Sequence, residues 1–105
     1  VYDQVDAALR ATLRGRNLEN GPQAALNDMQ ACDRFDVIDR LGEINLPVLA
    51  MCGSEDNMTP PKYSHFLADK LPGCRVEIIP GGTHMVFAEK PEAVNQTIRD
   101  FLRTL

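Results

Sequence analysis

A chain of 105 residues, 44% hydrophobic and 25% charged, has room for one domain of ordinary globular make-up. Its net charge of −4 and eleven scattered basic residues argue against nucleic acid, which needs clustered Lys and Arg. No apolar stretch approaches the roughly 18 residues of a membrane span, and the first thirty residues lack a signal-peptide pattern, so no membrane partner and a cytoplasmic setting are expected.

Apolar residues at 5, 8, 9 and 13 fall on one helical face, which predicts a helix from Asp3 to about Leu13. Gly15-Arg16-Asn17 is read as its end. Asn20-Gly21-Pro22 opens a second helix with proline at its first position, running to about Cys32 with Ala25, Leu26 and Met29 on its apolar face. A short helical turn is expected at Val37, Ile38 and Leu41, capped by Asp36 and stopped by Gly42.

The period then changes. Pro47-Val48-Leu49-Ala50-Met51-Cys52-Gly53 is a continuous apolar run, the pattern of a strand buried on both faces in a parallel sheet. A loop follows over 53–58. Thr59-Pro60-Pro61 reads as a capping hydroxyl ahead of a helix, and Tyr63, Phe66, Leu67 and Leu71 read as that helix's core stripe. Pro72-Gly73 ends it. Residues 75–80 form a second strand, and Pro91 starts a last helix whose stripe is Val94, Ile98, Phe101, Leu102 and Leu105. Residues 47–105 therefore read as a β-α-β unit with one more helix, and residues 1–45 as helices only.

In open parallel sheets, ligands bind outside the carboxyl ends of the strands. Two loops leave such ends here. The first carries Asp56, with Glu55 beside it, and the second carries His84. Taken singly, an aspartate there is as well explained as a turn former or helix cap, and a loop histidine as a structural or exposed residue. Together, each after its own strand, they point to a dyad in which the carboxylate orients the imidazole and the imidazole deprotonates a nucleophile. Gly53, Gly81 and Gly82 suit sharp turns and close backbone approach.

Pro47-Val48-Leu49-Ala50, Gly53-Ser54-Glu55-Asp56, Thr59-Pro60-Pro61, Gly82-Thr83-His84, Glu89-Lys90-Pro91 and Phe101-Leu102 stand in this order. Residues 36–105 in this order resemble the C-terminal portion of an α/β-hydrolase. The resemblance implies an α/β fold of two parallel strands with a crossover and C-terminal helices, preceded by cap-like helices over residues 1–35. It implies that Asp56 is the acid and His84 the base of a nucleophile–Asp–His triad acting on a small-molecule substrate, with ester hydrolysis favoured. The same fold also hosts C–C, epoxide, amide and carbon–halogen hydrolysis. Gly82-Thr83-His84 stands where this family usually has Ala-Gly-His, a departure expected to alter loop flexibility more than chemistry.

The nucleophile elbow, G-x-S-x-G, is not in these residues. Ser54 lacks the second glycine, Ser64 lies within a helix, and Cys32, Cys52 and Cys74 lack an elbow context. The oxyanion-hole loop is also missing, so the chain alone is expected to be inactive. It starts at Val1 rather than Met, which suggests processing or a piece of something longer. Two strands with few helices leave a sheet edge unpaired, so marginal folding, or a need for the missing N-terminal half of the fold, is expected. The alternative is a non-catalytic split half or interaction module. No cofactor is implied. A metal site built from Glu55, Asp56, His65 and His84 is disfavoured, because zinc sites show tighter ligand spacing. Three cysteines far apart read as free or buried thiols, with Cys52 and Cys74 expected inside.

Overall fold

Two parallel strands organise the C-terminal part of the chain in this computed structural model, which describes residues 5–105 apart from the side chain of residue 17. Strand β1 spans Val48–Gly53 and strand β2 spans Cys74–Ile79. They pair in parallel with Val48 opposite Cys74 and Gly53 opposite Ile79, so both carboxyl ends lie at one edge. Between them helix α2, Pro61–Lys70, packs on both strands. A short helix α3, Val86–Glu89, and a longer α4, Pro91–Leu102, close the chain. Residues 39–105 form one unit, and the helical residues up to 38 form a second. Among the described residues the sheet has two strands.

Side-chain alternation along β1 sorts its two faces. Met51 packs with Ile79, Val86 and Val94, the small core on the side of α3 and α4. Ala50 and Cys52 point the other way and are buried. Leu49 is only half-buried and Arg75 is exposed, so the expectation of a strand covered on both faces holds only near the carboxyl ends. Among the described residues no large side chain is completely buried.

Helix α2 corrects its predicted stripe. Ser64 and Leu71 are buried and Leu67 and Ala68 half-buried, at i, i+3, i+4 and i+7. Tyr63 and Phe66 face outward, each beside a lysine: Lys62 Nζ is 5.1 Å from the Tyr63 ring centre and Lys70 Nζ 5.8 Å from that of Phe66. On α4, Val94 is buried while Leu102 stays exposed, as does Leu105 beyond the helix. His65 is exposed, Cys52 is buried, Cys74 half-buried and Cys32 exposed.

The helical unit also differs from expectation. Helix α1 runs over Ala7–Arg34, and Asp6 caps it by accepting from the Ala8 and Leu9 N–H groups at 3.0 and 3.1 Å. The expected start at Asp3 lies outside the described residues. Gly15-Arg16-Asn17 does not end the helix. Gly21 does interrupt it, at φ 76° and ψ 162°, and Pro22 begins the second stretch. A glycine costs a helix only about 1 kcal/mol, whereas a left-handed residue followed by proline cannot continue one. Leu26 and Met29 are exposed. The turn at Ile38–Glu43 forms as expected, with Asp36 Oδ1 accepting from Ile38 N–H at 3.0 Å, although Gly42 lies inside it rather than after it.

A Cβ at Gly15 would meet nothing within 4 Å. Gly15→Ala should therefore raise helicity by circular dichroism and add up to about 1 kcal/mol in urea unfolding. Gly21→Ala should do the opposite, because its positive φ disfavours a side chain.

Candidate active site

The loops leaving β1 and β2 are held together before any side chain of the site is placed. A Cβ on Gly53 would overlap the Gly82 carbonyl, and one on Gly82 would lie 2.5 Å from Val86 Cγ2 and 3.2 Å from Gly53 Cα. Only glycine permits this approach at either position. The contact is locked by hydrogen bonds. Ser54 N–H donates to Ile79 O at 2.9 Å, Glu55 N–H to Gly82 O at 2.9 Å, and Gly81 N–H to Ser54 Oγ at 2.8 Å. Ile79-Pro80-Gly81-Gly82 is a turn closed by Gly82 N–H on Ile79 O, with Gly81 at φ 68°. Of the three glycines in these loops, Gly53, Gly81 and Gly82, only Gly81 takes a positive φ.

Asp56 lies three residues beyond Gly53 and His84 two beyond Gly82. Their side chains meet, with His84 Nδ1 2.9 Å from Asp56 Oδ2. The Asp56 side chain is 3% exposed and that of His84 30%, so the ring reaches outward from a buried acid. The carboxylate is fully engaged. Oδ1 accepts from Met58 N–H at 2.9 Å and Thr59 N–H at 2.8 Å, and Oδ2 accepts from the Thr59 hydroxyl at 3.0 Å. Asp56 is thus both the turn former and the partner of His84; the two readings of it are compatible.

Burial is the largest influence on Asp56 and pushes its pKa up. The hydrogen bonds from Thr59 N–H, His84, the Thr59 hydroxyl and Met58 N–H together outweigh it, and the pKa falls below its ordinary 3.8. The acid is therefore an anion at neutral pH. An anionic Oδ2 at 2.9 Å requires the proton of a neutral His84 on Nδ1, which leaves Nε2 with a free lone pair. A proton acceptor is what this arrangement makes.

A second carboxylate braces the loop from behind. Glu89 Oε2, from α3, accepts from Thr83 N–H at 2.8 Å and from Thr83 Oγ1 at 2.9 Å. Thr83 is buried, and its hydroxyl accepts weakly from Met85 N–H at 3.3 Å. The residue before His84 is therefore pinned through both backbone and side chain. Neither Glu89 in this role nor α3 was predicted; the Glu-Lys-Pro motif was the available signal, read only as a family mark.

Other candidates stand elsewhere. Glu55 is exposed, and its backbone N–H donates to the Gly82 carbonyl. Ser64 is buried on α2, and Ser54 Oγ accepts from Gly81 N–H. Neither hydroxyl is a partner of His84. Among the described residues no three His, Cys, Asp or Glu side chains gather as metal ligands, and no helix is long and apolar enough to cross a membrane. A hollow of about 280 Å³ lined by Asn45, Leu46, Pro47, Pro72 and Gly73 sits at the amino ends of the strands, away from the dyad.

With this geometry in hand, known proteins are informative. The sequence profile described as alpha/beta hydrolase fold matches residues 10–91. The chain belongs to the α/β-hydrolase fold family. A pimeloyl-[acyl-carrier protein] methyl ester esterase of Neisseria meningitidis serogroup B is 33% identical over 81 residues, covering 77% of this chain and 31% of that protein. Among solved structures, a thermophilic esterase aligns over 96% of this chain and 41% of its own, with TM-score 0.85 and 31% identity. The proline iminopeptidase of Mycobacterium smegmatis aligns over 67% of this chain and 23% of its own, with TM-score 0.62 and 34% identity. This α/β-hydrolase chain spans about a third of the length of the curated relatives it matches. The α/β fold expected from the motif order is the fold observed.

Two outcomes follow from the local chemistry. The lowered Asp56 pKa means that the unfolded chain takes up its proton first as pH falls. The stabilisation is complete above the ordinary carboxylate value and is lost as pH drops through the folded value. Urea unfolding between pH 7 and pH 3 should show this loss, and Asp56→Asn should flatten it. Separately, Glu89→Ala strands a buried Thr83 N–H and should cost about 1–3 kcal/mol in the same assay.

Proposed function

We propose that Asp56 and His84 are the acid and base of a nucleophile–Asp–His triad in an α/β-hydrolase that cleaves ester bonds. The observation that carries this reading is the 2.9 Å contact between His84 Nδ1 and a buried Asp56 carboxylate, with Nε2 left free. In the reaction His84 Nε2 takes the proton of the nucleophile as that atom attacks the carbonyl carbon, and later returns it to the leaving alcohol. Asp56 holds the ring and stabilises the imidazolium without itself taking the proton. The nucleophile and the oxyanion hole come from a part of the fold outside these 105 residues, and this chain alone is inactive.

Ester cleavage is supported by the methyl ester esterase and thermophilic esterase among the relatives. The iminopeptidase marks how far the bond varies on one scaffold. Residues 1–35 are proposed as the end of a helical lid; the likeness to the thermophilic esterase extends over 96% of the chain and so includes helical residues. The missing N-terminal half is the partner that the small core and the outward Leu102 and Leu105 call for. Three free thiols fit a cytoplasmic hydrolase.

In the complete hydrolase, His84→Ala should lower kcat on a short-chain ester by about 10³–10⁴-fold with an unchanged circular dichroism spectrum. Turnover at the unsubstituted rate would remove His84 from the mechanism.

A further inference from the structure

The Thr59 hydroxyl is the polar group at this site that acid–base assignment leaves unexplained. The sequence places it as a helix cap, and the structure does not use it so. Helix α2 begins at Pro61, its N-cap is Pro60, and no side chain caps it. With Thr59 as cap, Pro61 would stand at N2 and has no N–H for the hydroxyl to accept from. The hydroxyl turns the other way. It lies 3.0 Å from Asp56 Oδ2 and 3.1 Å from His84 Nδ1, which are themselves 2.9 Å apart.

Three short contacts must be shared by two protons, one on the hydroxyl and one on the ring. If the hydroxyl donated to a bare Nδ1, the anionic Oδ2 would face a lone pair at 2.9 Å. With the ring proton on Nδ1, the hydroxyl donates to Oδ2 and its own lone pair faces the Nδ1–H. Every contact is then favourable. The same residue also donates its backbone N–H to Oδ1 at 2.8 Å. Thr59 thus supplies two of the carboxylate's four hydrogen bonds, one on each oxygen, and fixes the plane in which Oδ2 meets the ring.

We infer that Thr59 is a positioning residue for the Asp56–His84 pair, its hydroxyl orienting the carboxylate and holding the His84 proton on Nδ1 so that Nε2 remains the base. This rests on the reading of Asp56 and His84 as acid and base. Thr59 is exposed, so its hydroxyl contributes little to the core and its removal falls chiefly on the pair.

The test compares Thr59→Val, Thr59→Ser and His84→Ala in the complete hydrolase, with melting temperature as the check on folding. Thr59→Val keeps the shape and should lower kcat about 10-fold, the scale of losing one charge-assisted hydrogen bond, with KM little changed. Its His84 Nδ1 proton resonance should move or broaden. Thr59→Ser should restore both the rate and the resonance. If Val and Ser variants both match the unsubstituted enzyme while His84→Ala is disabled, the hydroxyl is a local turn contact and the inference falls with the dyad intact. Equal losses in Val and Ser also overturn it, because the hydroxyl is then not what matters. If His84→Ala retains full turnover, the acid–base reading fails first and takes the role of Thr59 with it.

Discussion

The close backbone approach of Gly53 and Gly82 is the constraint on which the site depends. Parallel pairing brings the ends of β1 and β2 to one edge, but pairing alone leaves the following loops free to diverge. The missing Cβ atoms let the two chains touch, and the Ser54, Glu55 and Gly81 hydrogen bonds then join the loops. Asp56 and His84 follow within three residues of that junction, too short a span for either to wander. Twenty-eight positions apart in sequence, they meet because the backbone has already been fixed on both sides.

The electrostatics depend on the same loops. Burial pushes the Asp56 pKa up, and a protonated acid could not fix the Nδ1 tautomer. Four donors reverse the effect of burial. Two of them are backbone N–H groups of a turn that Asp56 itself forms. The turn is therefore what keeps the acid charged, and the charge is what selects the tautomer. Local structure and proton chemistry are one arrangement here, and the bland reading of Asp56 as a turn residue is part of what keeps it charged beside His84.

Sequence patterns located what depends on short-range period and missed what depends on contacts. The strands expected at 47–53 and 75–80 were legible within a residue, the first from its continuous apolar run and the second from Val76, Ile78 and Ile79. That Asp56 and His84 would meet was legible because each follows its own strand. Gly15 misled, because a glycine with space around it is only a modest helix penalty, whereas the real break at Gly21 depends on a positive φ followed by proline. The α2 stripe misled because aromatic rings read as core, yet Ser64 is small enough to face the sheet closely while Tyr63 and Phe66 lie against lysines. Thr59 read as a helix cap and Glu89 as part of a family motif, and neither reading gave the contact it makes. Their roles are set by partners three residues back and six residues back, and also by a ring 25 positions away.

The position of the core explains how so thin a structure holds an ordered site. Met51, Ile79, Val86 and Val94 are few, but they are not spread along the sheet. Ile79 is the last residue of β2 before the turn, and Val86 comes two residues after His84 and opens α3. The apolar contacts therefore close beneath the base of the His84 loop, while Glu89 pins Thr83 at its other side. Apolar burial weakens toward the amino ends of the strands, where Leu46 is exposed, away from Asp56 and His84. Thr83, where the family resemblance leads one to expect glycine, gains a second bond to Glu89 that glycine cannot make. The loop is thereby held at the residue before His84, and the departure bears on how the imidazole is placed.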